Sequence, residues 1–286
     1  MIPAPFDYVL PETLDEALQA LLLSETKLLA GGQSLLPILK LRLAAPGRLV
    51  DLGKIPELAR IEVRRDGIVL GAMATHASIE DSSELAKVSP LLPEVAAAIG
   101  DRQVRNRGTI GGSLAHADPA ADWPAAILAL DAALVAASPP GPRTIPARDF
   151  FKGLMSTALA PHEILLAVQI PRSGPGGAAY QKARQSASGF ALAGVAVVLE
   201  YGGGGVCKKA AIGVTGVADR PYRATAAEQA LAGKKLDDAS IVAAAALASH
   251  GVLEPLSDMH ASGEYRLHLV RVHCARALKR AAGLSR

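Results

Sequence analysis

Apolar and polar positions change their spacing several times along the chain, and each change marks an element. The first helical signal is Thr13 followed three residues later by Glu16. A hydroxyl and a carboxylate at that spacing satisfy each other's free amides, which predicts a capped helix running to Leu23. A short apolar run at 27–30 stops at Gly31 and Gly32 and reads as a buried strand. The stretch 35–43 predicts a helix and 48–51 another strand, so this region reads as a small βαβ-like unit. Between 59 and 72, Ile61, Val63, Ile68 and Leu70 alternate about Asp66 and Gly67, which predicts a hairpin with an Asp-Gly turn. Ser89 and Pro90 suit the cap and first residue of a helix ending near Gly100, and Asp122 before Pro124 suits the cap of another running to Leu130.

Residues 173–177 combine a proline with three glycines and read as a linker between two domains. Beyond it, apolar segments 191–201 and 206–217 flank four consecutive glycines as in a hairpin, and helical patterns follow at 225–231, 238–249 and 263–282. Strands followed by helices place this part in the α+β class. A length of 286 residues suits two domains or one composite domain. Half the residues are hydrophobic but only 3% are aromatic, so the core relies on small and aliphatic groups and few rings are free to stack on a ligand.

A formal charge of +3, with basic residues clustered only at Arg102, Arg105, Arg107 and near the C-terminus, argues against nucleic acid and for a modest anionic ligand. Residues 1–10 lack a leader pattern, and the apolar run 125–137 is interrupted by Asp131, so a cytoplasmic chain without a transmembrane segment is expected. Cys207 and Cys274 alone cannot ligate an iron–sulfur cluster or a four-cysteine zinc site and read as inert buried thiols. His76, His116 and His162 have no metal-binding spacing, and no nucleophile elbow or zinc-protease helix is present, so no metal and no catalytic side chain is assigned.

The informative chemistry lies in two glycine loops, Ala30-Gly31-Gly32-Gln33-Ser34 and Thr109-Ile110-Gly111-Gly112-Ser113, each following an apolar segment. Glycine lets backbone amides approach an anion, and Ser34, Thr109 and Ser113 add hydroxyls. Each loop alone reads better as a tight turn; together they suit the two sides of one pyrophosphate. Neither the dinucleotide fingerprint nor the Walker spacing is present.

The runs KLLAGGQSLLPILKLRLAAPGRLVDL at 27–52 and GDRQVRNRGTIGGSLAHADPAADWPAAILAL at 100–130 closely resemble the FAD-binding medium subunits of the carbon monoxide dehydrogenase and xanthine dehydrogenase family of molybdenum hydroxylases. GAMATHASI at 71–79 and SGEYR at 262–266 extend the resemblance over essentially the whole chain. It implies a two-lobed FAD-binding domain of the vanillyl-alcohol-oxidase (PCMH) type over 1–173, with lobes of about 1–55 and 56–173, and a smaller α+β C-terminal domain over 178–286. By the same resemblance, Ala30, Gly31, Gly32, Gln33, Ser34 and Leu35 face Thr109, Ile110, Gly111, Gly112 and Ser113 across the FAD pyrophosphate. Lys27, Leu28, Leu29, Ile99, Gly100, Asp122 and Leu159 line the cofactor, with helix capping the competing role for Asp122.

Lys182 corresponds to a lysine that stabilises negative charge on the reduced ring, and Phe190 to an aromatic residue over the isoalloxazine. Relatives often carry an aspartate where Gly189 stands. The resemblance further implies a small partner subunit with two two-iron two-sulfur clusters and a large molybdopterin-binding subunit, in a heterotrimer dimerised to a hexamer. This chain would be the electron-transfer flavoprotein, with NAD, quinone or oxygen open as final acceptor. The competing reading is a freestanding flavin-dependent oxidoreductase, in which His76 or His116 would supply acid–base chemistry.

Overall fold

The structure is a computed structural model and describes residues 2–284. The first residue and the last two, counted in the expected domains 1–173 and 178–286, lie outside the described residues. The N-terminal part contains β1 (Asp7–Val9), α1 (Leu14–Leu21), β2 (Thr26–Leu29), α2 (Leu35–Lys40) and β3 (Arg48–Asp51). Both β1 and β2 pair in parallel with β3, giving the sheet order β1-β3-β2. Thr13 Oγ1 accepts from Glu16 N, but the Glu16 carboxylate reaches back to Glu12 N rather than to the cap residue. α1 ends at Leu21, short of the expected Leu23, and α2 stops before 43 because Arg42 takes a left-handed conformation at φ 57°.

Next come β4 (Ile61–Val63), β5 (Gly67–Gly71), α3 (His76–Glu80), α4 (Ser83–Val88), α5 (Leu91–Ala97), α6 (Arg102–Arg107), α7 (Ile110–His116) and α8 (Trp123–Ala129). They are followed by β6 (Ala133–Ser138), β7 (Gly141–Pro146), α9 (Ala147–Phe150), the short hairpin β8 (Phe151–Gly153) and β9 (Ser156–Thr157), and β10 (Ile164–Pro171). A five-stranded antiparallel sheet of order β4-β5-β10-β6-β7 results. The β4–β5 turn is centred on Arg65 and Asp66, not on Asp66 and Gly67, because Arg64 and Gly67 exchange backbone hydrogen bonds. Gly67 instead lets β10 approach: a Cβ there would lie 2.2 Å from the Ile170 carbonyl oxygen. α5 is shifted by one residue from expectation, with Pro90 at its cap and Ser89 contributing a carbonyl to Leu92 N.

The remainder is β11 (Ala178–Arg184), β12 (Ala191–Tyr201), β13 (Cys207–Thr215), β14 (Tyr222–Arg223), α10 (Thr225–Leu231), α11 (Asp238–Ala246) and α12 (Gly263–Ala281). The strands form an antiparallel sheet in that order. β12 is apolar on both faces because both are covered. Ala193, Val195, Val197 and Leu199 join the core beneath α10, α11 and α12, while Ala196 and Val198 join the core that contains α8. Residues 123–129 of α8 are all buried, as expected of a helix that is apolar all round. α8 and β13 approach so closely that a Cβ on Gly213 would sit 2.0 Å from the Ala125 carbonyl oxygen. Among the described residues no helix is long and apolar enough to cross a membrane.

Candidate functional site: a chamber between two glycine loops

The two glycine loops touch. The first leaves β2 and enters α2, and the second opens α7. A Cβ on Gly31 would lie 2.0 Å from the Arg107 carbonyl oxygen, immediately before the second loop. One on Gly112 would lie 2.8 Å from Thr109 Oγ1 and 3.2 Å from Ala30 Cβ. Gly111 similarly abuts Ala72, at 2.4 Å from its Cβ. These glycines serve close backbone approach, whereas Gly32, at φ 74°, supplies the turn.

The loops differ in what they offer a ligand. In the second loop Ile110 N donates to Ala74 O, Gly111 N to Ala72 O, Gly112 N to Thr109 Oγ1 and Ser113 N to Thr109 O. The amides of residues 110–113 are therefore committed to the protein, contrary to the expectation that both loops present them. In the first loop the amides of Gly31, Gly32, Gln33 and Ser34 have no acceptor among the described residues. A bound anion thus finds free amides on one side and the Ser113 hydroxyl on the other.

Between the loops opens a chamber of about 630 Å³, within the range of cofactor sites. Of the residues singled out from the sequence, Lys27, Leu28, Ala30, Gly31, Gly32, Gln33, Ser34, Leu35, Ile99, Gly100, Thr109, Gly111, Gly112, Ser113, Asp122, Leu159 and Phe190 line it. Leu29, Ile110 and Lys182 are not part of its wall. Leu29 lies behind Gly32, 3.3 Å from where its Cβ would be, and Ile110 is fully buried in the core. His76, Gly108, His116, Asp118, Thr157, Glu163, Ser188 and Gly189 also line the chamber and were not assigned to it from sequence.

Asp122 occupies the cap position of α8 but makes no capping hydrogen bond. Its carboxylate instead accepts from the buried Tyr180 hydroxyl and pairs with the Lys182 ammonium at 2.9 Å. Burial raises the Asp122 pKa, with Lys182 and Tyr180 pulling the other way, and burial beside Asp122 pushes the Tyr180 phenol well up. Lys182 also donates to Gly189 O at 2.7 Å. Its charge is thus spent on Asp122 and on the loop ending at Phe190, rather than presented to the chamber. That loop closes on itself through Gln185 N to Phe190 O, Gly189 N to Gln185 O and Ser188 N to Gln185 Oε1. Gly189 has φ 77°, a left-handed conformation that favours glycine. Phe190 is 45% exposed at the chamber mouth.

Two further wall residues are fixed by partners distant in sequence. Glu163 is buried and held in a fork by Arg143 at 2.6 and 2.7 Å, which keeps its carboxyl below the usual range. His76, also buried, accepts from Trp123 Nε1 through Nδ1 at 3.1 Å. Burial, with Arg105 nearby, lowers its pKa to about 4, so it is neutral at pH 7. The donor set fits a large anionic cofactor: unpaired amides for phosphate, flanked by apolar walls at Leu28, Leu35, Ile38, Ile99 and Leu159 for rings. Among the described residues no group of three or more His, Cys, Asp or Glu is placed to hold a metal ion.

Residues 4–173 match the family described as the FAD binding domain in molybdopterin dehydrogenase, and 178–281 match the CO dehydrogenase flavoprotein C-terminal domain. The carbon monoxide dehydrogenase medium chain of Afipia carboxidovorans is 40% identical over 98% of each chain. The 6-hydroxypseudooxynicotine dehydrogenase complex subunit alpha of Paenarthrobacter nicotinovorans is 37% identical over 98% of this chain and 96% of its own. A chain in the crystal structure of the Cu,Mo-CO dehydrogenase superposes with a TM-score of 0.95 at 40% identity, covering 100% of both chains. With this agreement in sequence and fold along its whole length, the chain belongs to the FAD-binding medium subunits of the molybdenum hydroxylases, a family of flavoprotein oxidoreductase subunits.

Proposed function

We propose that this chain is the electron relay of a molybdenum hydroxylase, taking electrons from iron–sulfur clusters of a small partner subunit and passing them to an external acceptor. Hydroxylation itself belongs to a large molybdopterin-bearing subunit. The observation that carries the reading is the chamber in which the unpaired amides of Gly31, Gly32, Gln33 and Ser34 face Ser113 beside apolar walls. FAD held there supplies a carrier that accepts electrons singly and releases them singly or in pairs. Cys207 and Cys274 are both buried and too few to ligate a cluster, which supports a separate chain as electron source.

In this reading residues 1–173 form the cofactor domain and 178–286 the smaller C-terminal one. The first-loop amides and Ser113 hold the pyrophosphate. Lys27, Leu28, Leu35, Ile99, Gly100 and Leu159 flank the rest of the cofactor, and Phe190 covers the ring edge. Leu29, Ile110 and Lys182 act from behind the wall. The assembly is a heterotrimer of small, medium and large subunits that dimerises to a hexamer in the cytoplasm.

The test is an absorbance spectrum of the purified chain after FAD loading and desalting, with Gly32→Asp in parallel. At that position the added Cβ would lie 2.9 Å from Leu36 Cδ1 and the carboxylate beyond it repels phosphate. Flavin retained by the wild type and lost by a folded variant is expected. Turnover of an organic substrate by this chain alone would contradict the relay role.

A further inference from the structure

We infer that His76 is a further cofactor-positioning residue, its Nε2–H donating a hydrogen bond to a phosphate oxygen of FAD seated between the glycine loops. This rests on the flavin reading above. His76 is held through both its backbone and its ring. Thr75 caps α3 and forms a β-bridge with Thr109, and His76 N donates to Gly108 O at 2.9 Å, so its backbone is tied to the segment entering the second loop. On the ring, Nδ1 accepts from Trp123 Nε1, so the single proton of the neutral ring resides on Nε2.

The Nε2 edge borders the loops. A Cβ on Gly108 would lie 2.8 Å from Nε2, and Gly108 Cα is 2.7 Å from where a Gly31 Cβ would be. The donor therefore lies across one glycine from the free amides of the first loop. His76 is only 4% exposed, lines the chamber, and has no acceptor for Nε2–H among the described residues. Nε2–H is not among the buried donors without a partner, so it is open to the chamber, where an anionic oxygen can replace solvent as its acceptor. Neutral at physiological pH, it sits beside Arg105 without repulsion, and the charge on an anionic acceptor oxygen strengthens the bond it donates.

Two substitutions separate this role from mere support of Trp123. An Asn carbonyl oxygen falls near the position of Nδ1, so His76→Asn keeps an acceptor for the indole and removes the chamber donor. The Gln amide nitrogen falls near Nε2, so His76→Gln keeps the donor. In the full chain stripped of flavin, His76→Asn is expected to weaken FAD binding about 10- to 100-fold, the range for a charge-assisted hydrogen bond. ADP should weaken by the same factor, and His76→Gln should stay within about threefold of the wild type, well under one tenfold step.

Asn binding FAD like the wild type, Gln losing as much as Asn, or FAD weakened with ADP untouched would each overturn the assignment. Should the variants fail to fold, NMR of the wild type decides: ADP should move the His76 Nε2 proton downfield, and an unmoved resonance overturns the proposal. A wild type that takes up neither FAD nor ADP fails the flavin reading itself, a different signature from normal binding by His76→Asn.

Discussion

Replacing Lys182 by methionine should be among the most damaging single changes in the chain, and the size and pH dependence of the loss follow from its surroundings. The side chains of Lys182 and Asp122 are only 7% and 5% exposed, and the ammonium holds both Asp122 and the Gly189 carbonyl. Removing one partner of such a pair costs about 3–5 kcal/mol, because it leaves a buried charge uncompensated. Protonation sets a ceiling: neutralising a carboxyl of ordinary pKa 3.8 at pH 7 takes about 4 kcal/mol. The thermal midpoint should fall by roughly 6–15 °C.

Without Lys182 the folded-state pKa of Asp122 rises further above its unfolded value, so the folded variant binds a proton that the unfolded chain does not. Its stability is then lost as pH rises and regained on acidification, at up to about 1.4 kcal/mol per pH unit toward the unfolded value. Urea unfolding of Lys182→Met and of the wild type between pH 7 and pH 5, alongside Lys182→Met/Asp122→Asn, measures this. The deficit should shrink as pH falls, and the double variant should recover most of it. A deficit that is small and flat with pH, or no recovery in the double variant, would refute the argument.

His76 gives the opposite sign. Its pKa is lowered from 6.5 to about 4, so below pH 6.5 the unfolded chain binds a proton that the folded one excludes; stability is full above that pH and falls by up to about 1.4 kcal/mol per unit toward pH 4. The His76→Asn chain should lack this contribution in urea melts, and an NMR titration placing the wild-type imidazole near its ordinary value would contradict it. Gly31→Ala drives a methyl to 2.0 Å from the Arg107 carbonyl oxygen and must part the loops, so flavin retained after desalting should fall well below that of the wild type. Gly203→Ala, with nothing within 4 Å, should retain flavin like the wild type. Burial pushes the Cys274 thiol up to about 12 and the Cys207 thiol in the same direction, so iodoacetamide at pH 8 should modify neither in the folded chain and both after denaturation, as intact mass will report.

What the sequence disclosed follows the range of the interactions. Strands 48–51 and 191–201 and the helix 225–231 have the bounds read from periodicity, because local patterning against one core determines them. The glycine loops were visible as chemistry, but not their asymmetry: whether the amides of Gly111 and Gly31 are free depends on Ala72 and on the absence of a neighbour, not on the loops' own residues. Asp122 has the local signature of a helix cap, and a partner 60 residues away takes its carboxylate. Tyr180 N and Glu94 are separated by 86 residues, and the hydrogen bond between them has no local pattern at all. His76 stood in the GAMATHASI segment, but its direction is set by Trp123, 47 residues on.

The burial of α8 on both sides has a consequence for how the protein is made. Trp123 to Ala129 precede β12 and β13 in the chain, yet one side of the helix is covered only when Ala196, Val198 and Ala211 are in place. Ser188, Gly189 and Phe190, which finish the chamber wall, also come from that later part. During synthesis the glycine loops therefore emerge well before the chamber is complete, and a ribosome-bound chain whose β13 has not yet emerged exposes an apolar helix. On the proposed reading of the site, the wall is complete only once residues 188–190 have joined it, so full flavin affinity is expected only after translation has passed them.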